Sequence, residues 1–120
     1  YAYYESNKKR LKAVAVDNGK KAVLPSMESI QGGSYSPLSR PIFIYVSEQA
    51  LTRPEVREFA EFYLKSVGEL AAQVKYVALP KKAYDLALER LKKEQMGTVF
   101  GGESQAGVKI EELLKKEAKL

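Results

Sequence analysis

An unbroken apolar run at residues 42–46, IFIYV, sets the tightest limit on the fold of this sequence. A strand with one face in water alternates apolar and polar side chains, whereas a strand covered on both faces is continuously apolar. We therefore expect residues 42–46 to form a strand in the middle of an α/β sheet. Such a strand needs neighbours on both edges, and the chain offers few other strand candidates. The sequence thus predicts that further polypeptide completes the sheet.

The residue types that are missing limit the chemistry of the chain. It has 120 residues, enough for one domain, with 45% hydrophobic and 29% charged side chains, as in a core-forming protein. It contains no cysteine and no histidine, which excludes disulfides, thiolate zinc sites, thiol nucleophiles and Ser–His relays. We therefore expect no metal, no cofactor and no enzymatic activity. The chain opens at Tyr1 without an initiator methionine, which predicts an excised segment of a longer protein.

The net charge of +5 is concentrated near the amino terminus, where residues 1–25 carry six basic and two acidic side chains. A nucleic-acid-binding protein usually spreads its basic residues along one element, with aromatic side chains that stack on bases. A short cluster at residues 8–10 is more typical of a solvated helix end. We expect no nucleic acid among the partners.

The first 41 residues contain several local signals. We predict a helix over residues 1–11, a hairpin around Asp17-Asn18-Gly19, and a helical turn over residues 27–31 after Ser26 that Gly32-Gly33 ends. Pro37 and Pro41 remove backbone donors and favour extended neighbours, so residues 34–41 should form an ordered extended crossing.

The remainder of the chain is predominantly helical. Thr52 and Glu55 have the capping-box spacing with Pro54 in the first turn, and Gly68 should end that helix. Its predicted apolar face consists of Val56, Phe59, Ala60, Tyr63, Leu64 and Val67. The later elements are a turn over 69–74, an extended segment over 76–80, a helix over 81–95, a loop over 97–107 and a helix over 110–118.

Two candidate motifs do not support a catalytic or phosphate-loop function. The glycines of residues 97–104 are one residue short of a phosphate-binding P-loop, and Glu103 stands where that loop has a lysine. Glu55, Glu58 and Glu61 have the spacing of an ordinary solvated helix surface. We assign no catalytic residue and no metal ligand.

Residues 34–46, SYSPLSRPIFIYV, support a specific assignment. They resemble the YPLSRPLFIYV stretch of the phosphate-binding subunit of bacterial phosphate ABC transporters, a periplasmic solute-binding protein. Ser36 is an insertion relative to that stretch, and Ala78 replaces a proline. The resemblance extends in order over residues 1–7 (YAYYESN), 11–16, 25–30 (PSMESI), 54–64, 76–80 (YVALP) and 97–107.

The resemblance implies an α/β chain that forms the carboxy-terminal third of a two-lobed fold of the periplasmic-binding-protein kind. It places the end of the second lobe at residues 1–33, an interlobe crossing at 34–41, and the carboxy-terminal part of the first lobe at 42–120. The hinge residues in that crossing would be Tyr35, Pro37, Leu38, Ser39, Arg40 and Pro41. The family's phosphate ligands precede this segment, so the resemblance implies no phosphate-binding residue here.

The resemblance also implies a function and partners. The parent protein would capture inorganic phosphate in the periplasm, free or anchored to the membrane, and deliver it to the permease subunits of an ABC transporter. The chain itself would associate through residues 42–46, with another copy or with the missing amino-terminal portion. The alternative is a self-contained α/β protein-interaction module that self-associates, with an enzyme as a third hypothesis.

Overall fold

The structure is a computed structural model, and it describes residues 1–98 together with residues 112, 115 and 116. The elements in chain order are α1 (Ala2–Ser6), β1 (Val16–Asp17), β2 (Ala22–Val23), α2 (Met27–Gln31), α3 (Glu48–Leu51), α4 (Pro54–Gln73) and α5 (Lys81–Lys92). Residues 112, 115 and 116 are helical, and the rest of the helix predicted over 110–118 lies outside the described residues, as does the predicted loop from residue 99 onward.

The predicted hairpin is confirmed. β1 and β2 are antiparallel, with Val16 opposite Val23 and Asp17 opposite Ala22. The turn is held by its own side chains, because the Asp17 carboxylate accepts a hydrogen bond from the Gly19 N–H at 2.9 Å. Gly19 has φ +84°, a conformation that glycine adopts without steric cost.

The two short helices before residue 34 differ in how well the sequence predicts them. α2 begins after Ser26 as predicted. The Ser26 hydroxyl accepts a hydrogen bond from the Ser29 N–H at 3.1 Å, and the Ser29 hydroxyl accepts one from the Ser26 N–H at 2.8 Å. α1 ends at Ser6, so the prediction of a helix over residues 1–11 is wrong after that residue. Residues 7–10 form a turn, and the basic cluster lies in this turn.

α4 continues through the glycine at which we expected it to end. It covers 20 residues and packs against α5. A Cβ atom on Gly68 would lie 3.4 Å from the Tyr84 ring of α5, so the glycine gives the ring room to approach. Ala60 of α4 and Ala83 of α5 are 2% and 3% exposed. Both alanines belong to the small core of the described residues.

Both long helices end with a residue in the left-handed region. Lys75 has φ 60°, and Glu94 has φ 52°. After α4, Tyr76 N–H donates to Ala71 O and Lys75 N–H donates to Ala72 O, which is the Schellman pattern. Glu94 and Gln95 repeat this pattern after α5. The helix ends are thus satisfied by backbone hydrogen bonds without the glycine that sequence signals rely on.

The predicted capping box at the start of α4 is wrong. The Thr52 hydroxyl donates backward to Gln49 O at 2.7 Å, and α4 has Arg53 at its N-cap without a side-chain cap. Thr52 is instead the C-cap residue of the short helix α3, which we did not predict. Pro54 is the first helical residue, as expected.

Residues 42–46 are not a strand in this structure. They have no regular secondary structure, and within residues 1–98 the sheet consists of β1 and β2. Ile42 is 74% exposed and Tyr45 is 83% exposed, so the predicted burial on both faces is also wrong. The buried apolar side chains of the described residues are Val23, Leu51, Ala60 and Ala83. The chain is therefore of mixed α and β structure with a small core.

Candidate interlobe crossing

The first two residues of the crossing, Ser34 and Tyr35, are fastened to the elements before them. The Tyr35 N–H and the Ser34 hydroxyl both donate to Ser29 O, at 2.9 and 3.2 Å. Asn18 in the hairpin turn donates its side-chain amide to Ser34 O at 3.0 Å. These bonds join residues 34 and 35 of the crossing to both α2 and the hairpin turn.

The middle of the crossing folds back on itself. Residues 36–38 form a turn, with Ser39 N–H donating to Tyr35 O at 3.0 Å. The prediction of an extended segment over residues 34–41 is therefore wrong at this turn. Two prolines do not prevent the turn, because Pro37 lies between Tyr35 and Ser39 and contributes neither the donor nor the acceptor of that bond.

The six predicted hinge residues do not converge on one pocket. Tyr35 is half-buried, and Ser39 and Pro41 are of intermediate burial. Pro37, Leu38 and Arg40 are exposed. Arg40 thus lies on the surface of this chain, at the position where sequence resemblance implies a crossing.

Tyr35 contributes to a shallow depression of about 270 Å³ beside the crossing. The other lining residues are Tyr1, Tyr4, Leu11, Lys12, Ala13, Val14 and Pro25. The lining is mainly aromatic and aliphatic, with the cation of Lys12 at one place. Such a lining, with more apolar than polar surface, suits packing of apolar groups.

An ion pair between Lys8 and Glu5 lies beside the depression. Lys8 Nζ lies 2.8 Å from the Glu5 carboxylate and 5.9 Å from the centre of the Tyr4 ring. Hydrogen bonds from Lys8 and Tyr1 hold the pKa of Glu5 below its ordinary value. Partial burial, followed by the hydrogen bond to Glu5, raises the pKa of Tyr1. Lys8 therefore interacts with side chains of its own chain, and these contacts link residues 1, 4, 5 and 8 locally.

A second connection joins the chain across the crossing. The Gln31 side-chain amide at the end of α2 donates to Ala78 O at 2.8 Å, between residues 47 positions apart. This contact escapes sequence reasoning, because neither an exposed glutamine nor a backbone carbonyl gives a signal.

The described part of the chain contains neither a metal-binding group nor a membrane-spanning helix. Residues 1–98, 112, 115 and 116 contain no group of three side chains suited to hold a metal ion. Nor does any helix within them combine the length and the apolar character that crossing a bilayer would take.

Comparison with known proteins identifies relatives along nearly the whole chain. Protein SphX of Synechococcus elongatus is 51% identical over 118 residues, which are 98% of this chain and 35% of SphX. Protein SphX of Synechocystis is 49% identical over 119 residues. The phosphate-binding protein PstS of Staphylococcus epidermidis is 45% identical over 95 residues, which are 77% of this chain and 29% of PstS.

The chain spans about a third of the length of these curated relatives. No protein-family model matches it. No solved structure matches it either.

Proposed function

Since this chain is homologous to SphX and to the phosphate-binding proteins PstS over about a third of their length, we propose that it is a segment of a phosphate-binding protein. The parent protein captures inorganic phosphate and releases it unchanged, without catalysis. The single observation that carries the proposal is the 45% identity to PstS over 95 residues. An identity this high over such a length is typical of a shared fold and a shared ligand class.

The surface of the chain supports the idea of a segment. Its accessible area is 8816 Å² at 13.4 kDa, compared with about 6,500 Å² for a compact monomer of that mass. Exposed apolar side chains occur on both sides of the crossing, from Val14 at 73% to Tyr45 at 83%. In a longer protein, such side chains have polypeptide to pack against.

We assign the parts of the chain to a two-lobed protein as follows. Residues 1–33 are the end of the second lobe, residues 34–41 are the interlobe crossing, and residues 42–120 belong to the first lobe. The attachment of Ser34 and Tyr35 to Ser29 supports a boundary at this point. Hinges commonly consist of a few loop residues that absorb the dihedral change during closure. The exposed residues Leu38 and Arg40 suit that role, whereas the ring of Pro37 fixes its φ and limits its share in such a change.

The phosphate ligands belong to the rest of the parent protein in this proposal. We place Arg40 in the crossing and outside the ligand shell, as the resemblance implies. The partners of the parent are inorganic phosphate and the permease subunits of an ABC transporter. Its location is extracytoplasmic, either free or anchored to a membrane.

Calorimetric titration with inorganic phosphate tests the proposal. The full-length protein should bind phosphate, with sulfate as the control anion, whereas the 120-residue chain by itself should not. In the full-length protein Arg40→Ala should leave the affinity nearly unchanged, because loss of a charged ligand would weaken binding by about ten-fold or more. Absence of phosphate binding by the full-length protein would refute the function. Tight binding by the 120-residue chain would refute the placement of the ligands.

A further inference from the structure

Five exposed cations on either side of β1 have no part in the proposed function. We call them the basic strip, which consists of Lys9, Arg10, Lys12, Lys20 and Lys21. Its first two members lie in the turn after α1, and its last two lie between β1 and β2. Residues 9–21 hold these five basic side chains and one acidic side chain, so this stretch has a net charge of +4.

The described residues do not neutralise the basic strip. None of the ion pairs among residues 1–98 includes one of its members. The acidic side chain within the stretch, Asp17, accepts a hydrogen bond from the Gly19 N–H and so holds the hairpin turn. The end of α1 does not account for Lys9 and Arg10, because its last turn has no basic residue and the effect of a helix dipole falls off within that turn.

The basic strip is confined to one region of the chain. The nine residues from Lys9 to Asn18 span no more than about 30 Å even when fully extended. The Asn18 N–H donates to Lys21 O at 3.2 Å, which keeps Lys21 beside Asn18. Five charges within this distance can act together on a large charged surface, whereas a small anion would meet one or two of them.

We expect the basic strip to stay at the surface of a longer protein. Apolar side chains are stabilised when further polypeptide covers them, whereas an ammonium or guanidinium group has a large desolvation cost unless it is paired. Residues 9–21 supply five cations and one carboxylate, so most of these pairs are missing within the stretch. Additional polypeptide should therefore cover apolar surface and leave the strip in water.

The residue types of the strip favour an anionic lipid surface over a protein partner. Four of the five members are lysines, whose compact charge on a flexible stem is attracted to a charged surface without fixed geometry. Arginine, with its planar fork, is the residue suited to paired carboxylates at a protein interface. Each cation beside an anionic bilayer strengthens binding by about five-fold. We propose that the basic strip binds the headgroups of anionic phospholipids and holds the parent protein reversibly at a membrane surface.

This inference rests on the proposed function only for the location of the protein. An extracytoplasmic protein that delivers phosphate to permease subunits works beside a membrane. Reversible binding to that membrane would raise the concentration of the protein near the permease, and it requires neither a phosphate ligand nor a hinge residue within this chain.

Flotation with lipid vesicles tests the inference on the full-length protein, prepared without a lipid group. Vesicles of phosphatidylcholine and phosphatidylglycerol at a ratio of about 2:1 should bind it, and this binding should weaken as salt is added. The double substitution Lys20→Gln and Lys21→Gln should weaken the binding by about ten-fold or more. The hairpin turn should persist in this variant, because the backbone N–H groups of both residues donate to Asn18 Oδ1 at 3.0 Å.

A matched control separates the strip from the net charge of the protein. Lys81→Gln together with Lys82→Gln removes the same charge from two adjacent exposed lysines at the start of α5, and it should leave the binding nearly unchanged. Equal weakening by the two double substitutions would overturn the inference. Equal binding to vesicles of phosphatidylcholine alone would also overturn it.

Vesicles of phosphatidylcholine that contain the permease subunits test the other class of partner. Binding to these vesicles that depends on Lys20 and Lys21, without binding to phosphatidylglycerol, would overturn the inference in favour of an acidic protein surface.

Phosphate titration of the same protein separates this inference from the proposed function. The Lys20→Gln and Lys21→Gln variant should bind phosphate as the unsubstituted protein does. A protein that binds phosphate but ignores anionic vesicles retains the proposed function and loses the lipid-binding strip. A protein that binds the vesicles through the strip but does not bind phosphate retains the strip and loses the function.

Discussion

Gly68 illustrates how a single residue sets the distance between two helices. The Tyr84 ring lies 3.4 Å from the place that a Cβ atom on Gly68 would take, and the Tyr84 hydroxyl accepts a hydrogen bond from the Leu79 N–H at 2.9 Å. One side chain thus joins α4, α5 and the segment between them. The size of the side chain at position 68 therefore affects the contact between α4 and Tyr84 of α5.

We predict opposite effects for two substitutions of Gly68. Gly68→Ala should raise the free energy of unfolding by about 0.5–1 kcal/mol, because alanine favours the helix and its Cβ atom would lie at an ordinary contact distance of 3.4 Å from Tyr84. Gly68→Leu should lower it by about 1–3 kcal/mol, since the larger side chain displaces the ring. Urea unfolding of both variants measures the difference. Destabilisation by alanine would show that the ring cannot accommodate a methyl group.

A second prediction concerns the pH dependence of the Glu5 ion pair. The folded chain holds the pKa of Glu5 below 4.5, chiefly through the hydrogen bond from Lys8. The stabilisation is therefore present above pH 4.5 and is lost as the pH falls through the lowered pKa of Glu5. Lys8→Ala should raise this pKa toward its ordinary value. An NMR titration of the Glu5 side chain measures the change, and Lys9→Ala is the control, because Lys9 is not among the groups that shift Glu5. An unchanged pKa in Lys8→Ala would contradict the prediction.

At the scale of elements, the ends of α4 and α5 have the Schellman hydrogen bonds but not the usual glycine. A lysine or glutamate in the left-handed region has a steric cost that glycine avoids. This chain therefore retains an unfavourable conformation at both helix ends, at Lys75 and at Glu94. Glu94 also forms an ion pair with Arg57 near the start of α4, which gives its side chain a separate role.

Lys75→Gly should stabilise the chain by about 0.5–1 kcal/mol, because it removes the steric cost at φ 60°. The matched substitution Lys65→Gly, in the interior of α4, should destabilise by about 1 kcal/mol and also removes the ion pair with Glu61. Thermal unfolding of the two variants gives the sign directly. Equal effects at both positions would mean that the conformation of Lys75 is not as described.

The elements that local side chains define could be predicted, and those that depend on distant contacts could not. The hairpin turn and α2 are held by Asp17, Ser26 and Ser29, which bond within three residues, and their prediction is confirmed. α4 passes through Gly68 beside the ring of Tyr84, which is 16 positions away, and no pattern near Gly68 indicates this contact. The hydrogen bond from the Tyr35 N–H to Ser29 O joins two backbone groups, so the residue types at these positions do not predict it.

At the scale of the whole molecule, residues 42–46 show a strand-forming sequence without a sheet. Their composition predicts burial on both sides, and the chain exposes them on both. β-Propensity expresses how a side chain fits a half-buried pleated surface, so it has no effect where that surface is missing. The strand prediction for residues 42–46 is therefore wrong for this structure, because the described residues provide no sheet beside them.

Substitution of Ile42 should give different results in the two contexts. In the 120-residue chain, Ile42→Asp should change the free energy of unfolding by no more than about 0.5 kcal/mol, because the side chain is 74% exposed. In the full-length protein it should cost about 3 kcal/mol or more, since a carboxylate would then be buried without a partner. Urea unfolding of both proteins, with Glu48→Asp as a conservative control, measures this. Equal small effects in both would show that residues 42–46 remain in water.

The Gln31–Ala78 hydrogen bond has a mechanical consequence for the molecule. It spans the crossing from one half to the other, and the glutamine that donates it is exposed. Water can replace either partner, so breaking this hydrogen bond costs only about 0.5–1.5 kcal/mol. The contact therefore links residues on either side of the crossing while contributing little to the free energy that opposes their separation.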